Sequence, residues 1–418
     1  MWSHHAYLAS IPLYIVPTCA FTSFDTNCTL PPVSYNYLSG VNVRSTLDIT
    51  WSSLATIIAC TFTVLHLNVP EQRDGRDPTW PGGIKWWWKS FQPTLEWTAI
   101  AIVAPEWYAL NAISAYCDAR ATRSFLKSSE NRSSPHEWAL VHAFYINMGG
   151  YAIRLPEEND TKVPQSITDR RGNLIHLGAR SFCEMSKQGM HDSDQLLSDT
   201  DIEDRSTSDA LAKCLAVLQV LYFCINCVVR AIKQLPISPL EFGTLGFALC
   251  SFISYACLFN KPRSVKTAVV LNASIFDLDL HIRKSLEGER ADRGAESSRA
   301  TIPNDNVEIA RARMILPPLA LAFGAIHFAA WNFSFPTTIE QWLWRVCVVY
   351  STASLPLGYY LGLIPGLTRF ADQASLVSAS IGMYSVSRLV IIVVMVQCLF
   401  FLPPESFTNT WAANLPHL

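Results

Sequence analysis

Long apolar runs alternate with polar stretches along the chain, and this alternation predicts membrane-spanning helices. A helix needs about 20 mostly apolar residues to cross the hydrocarbon core of a bilayer. Five runs meet this length without interruption, and a sixth meets it although Arg345 stands near its start. The predicted spans are residues 48–67, 210–231, 239–259, 314–335, 341–364 and 378–402. The pattern therefore predicts an all-α membrane protein, a helical bundle of about 6–8 transmembrane helices.

The region between the first two of these runs admits two arrangements. Residues 93–116 are apolar enough to span, but they contain Glu96, Pro105 and Glu106. The helix predicted at 135–149 is too short to cross a bilayer. Either the two segments form a re-entrant or interfacial pair, or they cross and return with a basic loop between them. We favour a pair that lies partly in the membrane, because the preceding Trp86-Trp87-Trp88 suits an interfacial aromatic belt.

Three helix starts are predicted by capping boxes, in which Ser or Thr is followed three residues later by Glu. They are Ser134/Glu137, Ser238/Glu241 and Thr337/Glu340. Proline favours the first helical position, and Pro135 and Pro239 follow two of the boxes. Gly149-Gly150 predicts the end of the helix that begins at Pro135. The two glutamates at 241 and 340 are explained by capping, and no chemistry is expected of them.

Charge is segregated in the manner that a bilayer imposes. Charged residues make up 16% of the chain, against about 25% in a typical soluble domain. Most of them lie in two hydrophilic stretches, 151–209 and 261–313, which we predict to be cytoplasmic loops. The part from 277 to 313 is rich in charge and poor in apolar residues, so we predict that it is disordered. The net charge of −2 offers no basic surface for nucleic acid.

The distribution of Lys and Arg predicts the orientation, since these residues accumulate on the cytoplasmic side. It places both termini in the lumen. Residues 1–20 are expected to form a signal peptide, with a retained first helix as the alternative. Asn27 and Asn332 stand in glycosylation sequons on the predicted lumenal side. The predicted organisation is a lumenal segment (21–47), a first span with the ambiguous pair (48–150), a hydrophilic loop (151–209), a hairpin (210–260), a charged loop (261–313), a three-helix part (314–402) and a lumenal tail (403–418).

A series of local signatures resembles a large family of uncharacterised fungal multi-pass membrane proteins. The signatures run in order from about residue 44 to the C-terminus: WSSLATIIACTF with HLNVP, APEW, HAFYINMGGY, SDALAKCLAVLQ, LPISPLEFGTLGFAL with FNKP, IHFAAWNFSFPTTIEQWLWRV, and a closing W-x-x-x-L-P-H-L. The chain departs from the family pattern at Phe259, where a Trp is expected. The resemblance implies a membrane protein of no established activity, with some members encoded near secondary-metabolite genes.

Four ionisable residues in or near the apolar segments are candidates for chemistry, because such residues at membrane depth are costly. Glu106 follows Pro105 and could act as a general acid or a proton carrier. His142 could partner Glu106 as a base, or be an interfacial histidine on an aromatic face. His327 could be a base, a ligand or a packing residue. Arg388 is expected to pair with a carboxylate, with Glu106 and Asp48 as the candidates, or to bind an anionic group.

Several motifs that would indicate a cofactor are missing from the sequence. There is no H-E-x-x-H, no P-loop and no dinucleotide-binding glycine pattern. No cofactor or metal is therefore predicted. We expect the bilayer and a lipophilic small molecule as partners, in an endomembrane such as the endoplasmic reticulum or in the plasma membrane. The leading hypothesis is a metal-independent enzyme of the cyclase or isomerase type, or an accessory protein, in secondary metabolism; a transporter, a sensor and a scaffold are the alternatives.

Overall fold

The computed structural model of this chain describes residues 43–70, 80–129, 137–154, 174–187, 196–206, 210–263, 265–271, 306–333, 335–362 and 373–414. The helices are α1 (Thr46–Val64), α2 (Trp80–Val103), α3 (Pro105–Ser129), α4 (Leu140–Asn147), α5 (Ala179–Lys187), α6 (Asp199–Arg205), α7 (Ala210–Ile232), α8 (Pro239–Leu258), α9 (Asn306–Ala329), α10 (Thr338–Gly362) and α11 (Gln373–Cys398). The strands are β1 (Tyr151–Arg154), β2 (Leu174–His176) and β3 (Val269–Leu271), and two 3-10 turns follow at Pro404–Phe407 and Trp411–Asn414.

Four of the described helices are long and apolar enough to cross a membrane. They cover Thr46–Val64, Cys214–Ile232, Pro239–Leu258 and Ala379–Cys398. These four agree with predicted spans. Helix α9 begins at Asn306 and contains only a shorter apolar stretch, Pro317–Ala329, and α10 is not among the four either. The mostly helical prediction is confirmed, whereas a count of 6–8 transmembrane helices stays a prediction.

Two of the three predicted capping boxes begin helices. The Ser238 hydroxyl accepts from the Glu241 N–H at 3.2 Å at the start of α8, and Thr337 with Glu340 does the same before α10. Ser134 and Pro135 of the third box lie outside the described residues, and the described helix α4 begins at Leu140, later than predicted. A Ser–Asp box at Ser45/Asp48 begins α1, and the pattern of Ser or Thr with Glu does not include it. Helix α4 does end at the predicted glycines, with φ of 79° at Gly149.

The segment predicted as one apolar stretch, 93–116, is divided between two helices. Helix α2 ends at Val103 and α3 begins at Pro105, so the break lies at Ala104. Proline has no N–H to continue the hydrogen-bond ladder of α2, but it fits the first position of α3. Helix α3 then continues to Ser129, so the described part of the basic segment that we predicted as a loop is helical. The arrangement of this region partly in the membrane stays a prediction.

The strict all-α prediction needs correction, because the hydrophilic stretches contribute a small sheet. Strand β1 pairs antiparallel with β2 and parallel with β3, in the order β2-β1-β3. We call the sheet together with α4, α5 and α6 the sheet unit. Its apolar core is fully enclosed and includes Tyr145, Ile146, Tyr151, Ile153, Phe182 and Ile202. Residues 306–313, predicted as disordered, belong to α9, and 277–305 lie outside the described residues.

Segments that the charge pattern assigns to one side of the membrane lie together. At one end, Val43 forms a β-bridge with Thr408. At the other end, the Lys261 ammonium donates to the Asn68 side chain at 2.9 Å, and β1 pairs with β3. These contacts agree with the predicted grouping of the segments on two sides of the membrane. The assignment of one side to the cytoplasm stays a prediction.

The last three helices pack closely around a few small and aromatic residues. A side chain at Gly324 of α9 would overlap Thr352 of α10, so the two backbones approach as small residues allow. Trp344 of α10 is fully buried and packs in a cluster with Val348, Ile391 and Val394. This packing fixes α11, which carries two side chains of the candidate site.

Candidate functional site

A buried carboxylate at the break between α2 and α3 forms the centre of the candidate site. Glu106 stands in the first turn of α3, where the helix dipole favours a negative charge. Its side chain is only 2% exposed. The hydroxyl of Tyr384 on α11 donates a hydrogen bond to Glu106 Oε1. The other oxygen, Oε2, is buried and has no hydrogen-bond partner among the described residues.

Arg388 lies one turn further along α11 and closes the end of α2. Its Nε donates to the carbonyl oxygen of Val103 at 2.9 Å. Because α2 ends there, this carbonyl belongs to the negative pole of the helix, and a guanidinium is a fitting cap. The guanidinium also lies over the Phe323 ring, with Cζ 4.6 Å from the ring centroid. Its Nη2 makes no hydrogen bond within the described part of the chain.

The hydrogen bonds of His327 define its protonation. Arg388 Nη1 donates to His327 Nε2 at 3.4 Å, and arginine has no acceptor atom. Nε2 must therefore carry a lone pair. The proton then resides on Nδ1, which donates to the Phe323 carbonyl at 3.1 Å. This arrangement describes a neutral imidazole, and His327 is buried among the neighbouring helices.

Apolar side chains surround these four polar residues, which we call the buried polar cluster (Glu106, His327, Tyr384 and Arg388). The shell contains Ala109, Leu110, Cys250, Leu319 and Phe323. In such surroundings an unpaired polar group costs several kcal/mol, on the order of 2–7 for transfer out of water. The cluster is therefore costly to maintain, and a low dielectric strengthens each interaction that a bound group could make there.

His142 lies elsewhere and is not brought to Glu106. It belongs to α4 of the sheet unit, where Nε2 donates to the Leu197 carbonyl at 3.0 Å. Its Nδ1 accepts from the Ala139 N–H at 3.1 Å and lies 3.1 Å from Asp199 Oδ1. The predicted partnership of His142 with Glu106 was therefore wrong, because α4 packs on the later turns of α3, where Thr122 donates to Asn147, whereas Glu106 stands in the first turn. Nearby, burial raises the pKa of Tyr151 to about 12.

The remaining predicted residues have identifiable surroundings. Arg388 forms no ion pair with Asp48, whose carboxylate instead accepts from the Ser45 N–H at 2.7 Å; nor is an ion pair seen between Arg388 and Glu106 in the described residues. Arg345 lies over Trp331 with its Cζ 5.1 Å from the ring centroid. Asn332 is exposed between α9 and α10, and its glycosylation stays a prediction. Asn27 and the predicted signal peptide lie outside the described residues.

Two features of the polar architecture were missed from the sequence. Tyr384 looked like one apolar residue among many in α11, and only the packing of α11 against α8, α10 and the end of α2 brings it to Glu106. Glu241 has a second role besides capping. It forms a salt bridge of 2.6 Å with Arg44, and both side chains are buried. The described residues hold no group of three or more His, Cys, Asp or Glu side chains that could bind a metal.

Mostly helical architecture, four apolar helices and a buried polar cluster indicate a multi-pass membrane protein. The chain belongs to DUF8562, a family of unknown function, whose match covers residues 17–282. The match includes Glu106 and the sheet unit, whereas His327, Tyr384 and Arg388 lie beyond it. No curated protein and no solved structure matches the chain.

Proposed function

We propose that the buried polar cluster is the working site of a membrane enzyme that acts on a lipophilic small molecule without a metal. The observation that carries this proposal is Glu106 Oε2, a carboxylate oxygen that is buried and lacks a partner in the described residues. A protein gains no stability from such an atom. A ligand that donates an O–H or presents an acidic C–H would satisfy it.

The residues of the cluster suit proton transfer at a carbon or oxygen atom of the ligand. Glu106 Oε2 takes the proton as a general base, and the negative charge develops on a ligand oxygen near the Arg388 guanidinium. Glu106 then returns the same proton to a different atom of the ligand. The sum of these steps is an isomerisation or a cyclisation. It consumes no co-reactant, in agreement with the lack of nucleotide-binding motifs in the sequence.

An apolar shell supports a lipophilic ligand over a water-soluble one. Ala109, Leu110 and Leu319 offer no polar group, and Phe323 presents only its ring. Secondary metabolism is a fitting context, because the fungal family that the sequence resembles includes members encoded near secondary-metabolite genes. An accessory role, in which the cluster only positions the molecule for another enzyme, uses the same contacts.

A transporter is the second candidate, and the break at Ala104 favours it. Helices interrupted at membrane depth present their poles to substrates in many transporters. Here the end of α2 binds Arg388 through Val103, and the start of α3 carries Glu106. Glu106 would then carry a proton or hold the cargo.

The test compares metabolites from a strain that lacks the gene with those from the same strain carrying it again. If the protein is an enzyme, a lipophilic precursor should accumulate in the deletion strain. The purified protein in liposomes should then convert this precursor to an isomer. If the protein is a transporter, the compound that differs between the strains should be taken up into liposomes by the protein without chemical change. Identical metabolite profiles in the two strains would contradict both functions.

A further inference from the structure

Helix α2 carries an aromatic stripe that no other described element covers. Trp80, Ile84, Trp87 and Phe91 follow one another at intervals of four, three and four residues, so they share one face of the helix. All four are exposed, Trp80 to 82% and Trp87 to 60%. The Trp87 and Phe91 rings stack at 5.2 Å. The stripe is thus a preformed aromatic surface.

Polar residues occupy the neighbouring face of the same helix. Lys85, Lys89, Gln92 and Glu96 recur at the same spacing, and the Gln92 amide donates to the Glu96 carboxylate at 2.9 Å. Within residues 80–91 the only charges are the two lysines, and Lys85 is exposed. This half of α2 is therefore amphipathic and cationic.

Within the described residues, the far end of α2 is the part that packs against other helices. Ala101 is buried, Trp97 makes an edge contact with Tyr108 at 6.0 Å, and Val103 accepts from Arg388. Pro93 lies between this end and the aromatic stripe, and it removes one hydrogen bond from the helix. The two halves of α2 thus have different surroundings, one packed against helices and one facing outward.

We propose that residues 80–91 form a membrane-surface anchor that binds anionic phospholipid. Trp side chains favour the boundary between headgroups and acyl chains, and Lys85 on the adjoining face would contact the lipid phosphates and carboxylates. The charge pattern assigns this segment to the cytoplasmic side, where the leaflet is anionic. A second protein is a poorer fit, because the lysines have no acidic neighbour in the segment and the same helix continues to the buried polar cluster. The proposal is independent of the chemistry of that cluster.

Photocrosslinking tests which partner covers the stripe. Full-length protein is prepared with benzoylphenylalanine at Trp87 or, as the matched control, at Gln92 on the polar face. It is placed in vesicles of phosphatidylcholine and phosphatidylserine, illuminated and analysed by mass spectrometry. We expect lipid adducts at 87 to exceed those at 92 severalfold. Equal adducts at the two positions, or a crosslink to a second copy of the chain, would overturn the proposal.

Lipid charge is tested with a lysine variant. Wild type is expected to bind a fluorescent phosphatidylserine more tightly than the matching phosphatidylcholine. The preference for phosphatidylserine over phosphatidylcholine should be about fivefold smaller in Lys85→Gln than in wild type. This is the contribution of one lysine near an anionic surface. Lys233→Gln removes another exposed lysine, directly after α7 and far from the stripe in sequence, and should leave the preference unchanged. An unchanged preference in Lys85→Gln, with the protein still eluting as a single species, would refute the recognition of anionic lipid.

Discussion

Arg388 donates from Nε to the carbonyl oxygen of Val103 at 2.9 Å, and this bond joins the middle of α11 to the end of α2. The carbonyl would have no partner at a helix end placed among apolar side chains. The same guanidinium holds His327 in its neutral form. One side chain thus stabilises the helix break that carries Glu106 and also fixes a second member of the buried polar cluster.

Replacing Arg388 should destabilise the helix break. Arg388→Met leaves the Val103 carbonyl and His327 Nε2 without their donor, at a cost of about 1–3 kcal/mol for each buried polar group. Arg345→Met is the control, since this half-buried arginine makes two long hydrogen bonds to the Trp331 carbonyl, at 3.3 and 3.4 Å. Thermal unfolding in one detergent should show a clearly larger loss for Arg388→Met. Equal losses in the two variants would show that the cap at Val103 has no special weight.

Tyr384 and Glu106 should be energetically coupled. Tyr384→Phe removes the donor to Glu106 Oε1 and leaves both carboxylate oxygens unsatisfied, whereas in Glu106→Gln/Tyr384→Phe the buried charge is gone as well. We expect the double variant to be more stable than the sum of the single losses predicts, by about 0.5–3 kcal/mol. Unfolding of the four proteins measures this difference. Strict additivity would mean that the two side chains do not interact in the membrane.

Two buried arginines hold the C-terminal strap, which we define as residues 404–410. Arg230 donates to the carbonyl oxygens of Ser406 and Thr408 at 3.0 and 2.8 Å, and Arg44 Nε donates to Ser406 at 2.7 Å. In Arg230→Met the strap loses several bonds of about 1 kcal/mol each, so chymotrypsin should cleave at Phe407 at least about tenfold faster. Lys233→Met is the exposed control and should be cleaved like wild type. Protection in both variants would contradict a role of Arg230 in holding the strap.

Alanine substitutions at two helical glycines should have opposite effects on stability, because one glycine lies in a close helix contact and the other does not. A methyl group at Gly324 would overlap Thr352, and such overpacking costs about 1–3 kcal/mol. Gly382 in α11 has open space around it, so Gly382→Ala should raise stability, by up to about 1 kcal/mol, through helix propensity. Thermal unfolding of Gly324→Ala and Gly382→Ala measures both. A stabilised Gly324→Ala would show that the two helices are further apart than described.

Apolar periodicity and capping predicted the elements whose stability is local. The spans at α1, α7, α8 and α11 follow from length and hydrophobicity, and the starts of α8 and α10 follow from their capping boxes. Helix α4 begins at Leu140, later than predicted, and the His142 ring accepts from the Ala139 N–H at this start. The strands of the sheet unit are three or four residues long, and β1 pairs with β3 from a distant part of the chain. Such pairing leaves no periodic pattern in a charged stretch.

The presence of ionisable residues within apolar segments predicted part of the candidate site. Glu106, His327 and Arg388 were identified because ionisable residues are costly in apolar segments, and the structure brings them together. Tyr384 and the partners Val103 and Phe323 could not be identified, since their roles arise from helix contacts. The predicted partnership of His142 with Glu106 was wrong, because the sequence does not show how helices α3 and α4 pack. Whether the cluster does chemistry stays a proposal.

The most direct test of the proposed working site exchanges two glutamates that flank the helix break. Glu106→Gln keeps the shape and the acceptor for Tyr384 but cannot take a proton, whereas Glu96→Gln changes a half-buried glutamate in α2 that contacts only Gln92 among the hydrogen bonds described. Each variant is expressed in the deletion strain at wild-type protein level, and lipophilic metabolites are profiled. We expect Glu96→Gln to restore the wild-type profile and Glu106→Gln to leave the deletion profile, with product formation at least about a hundredfold lower. Full restoration by Glu106→Gln would contradict the central claim that this carboxylate is the working group of the protein.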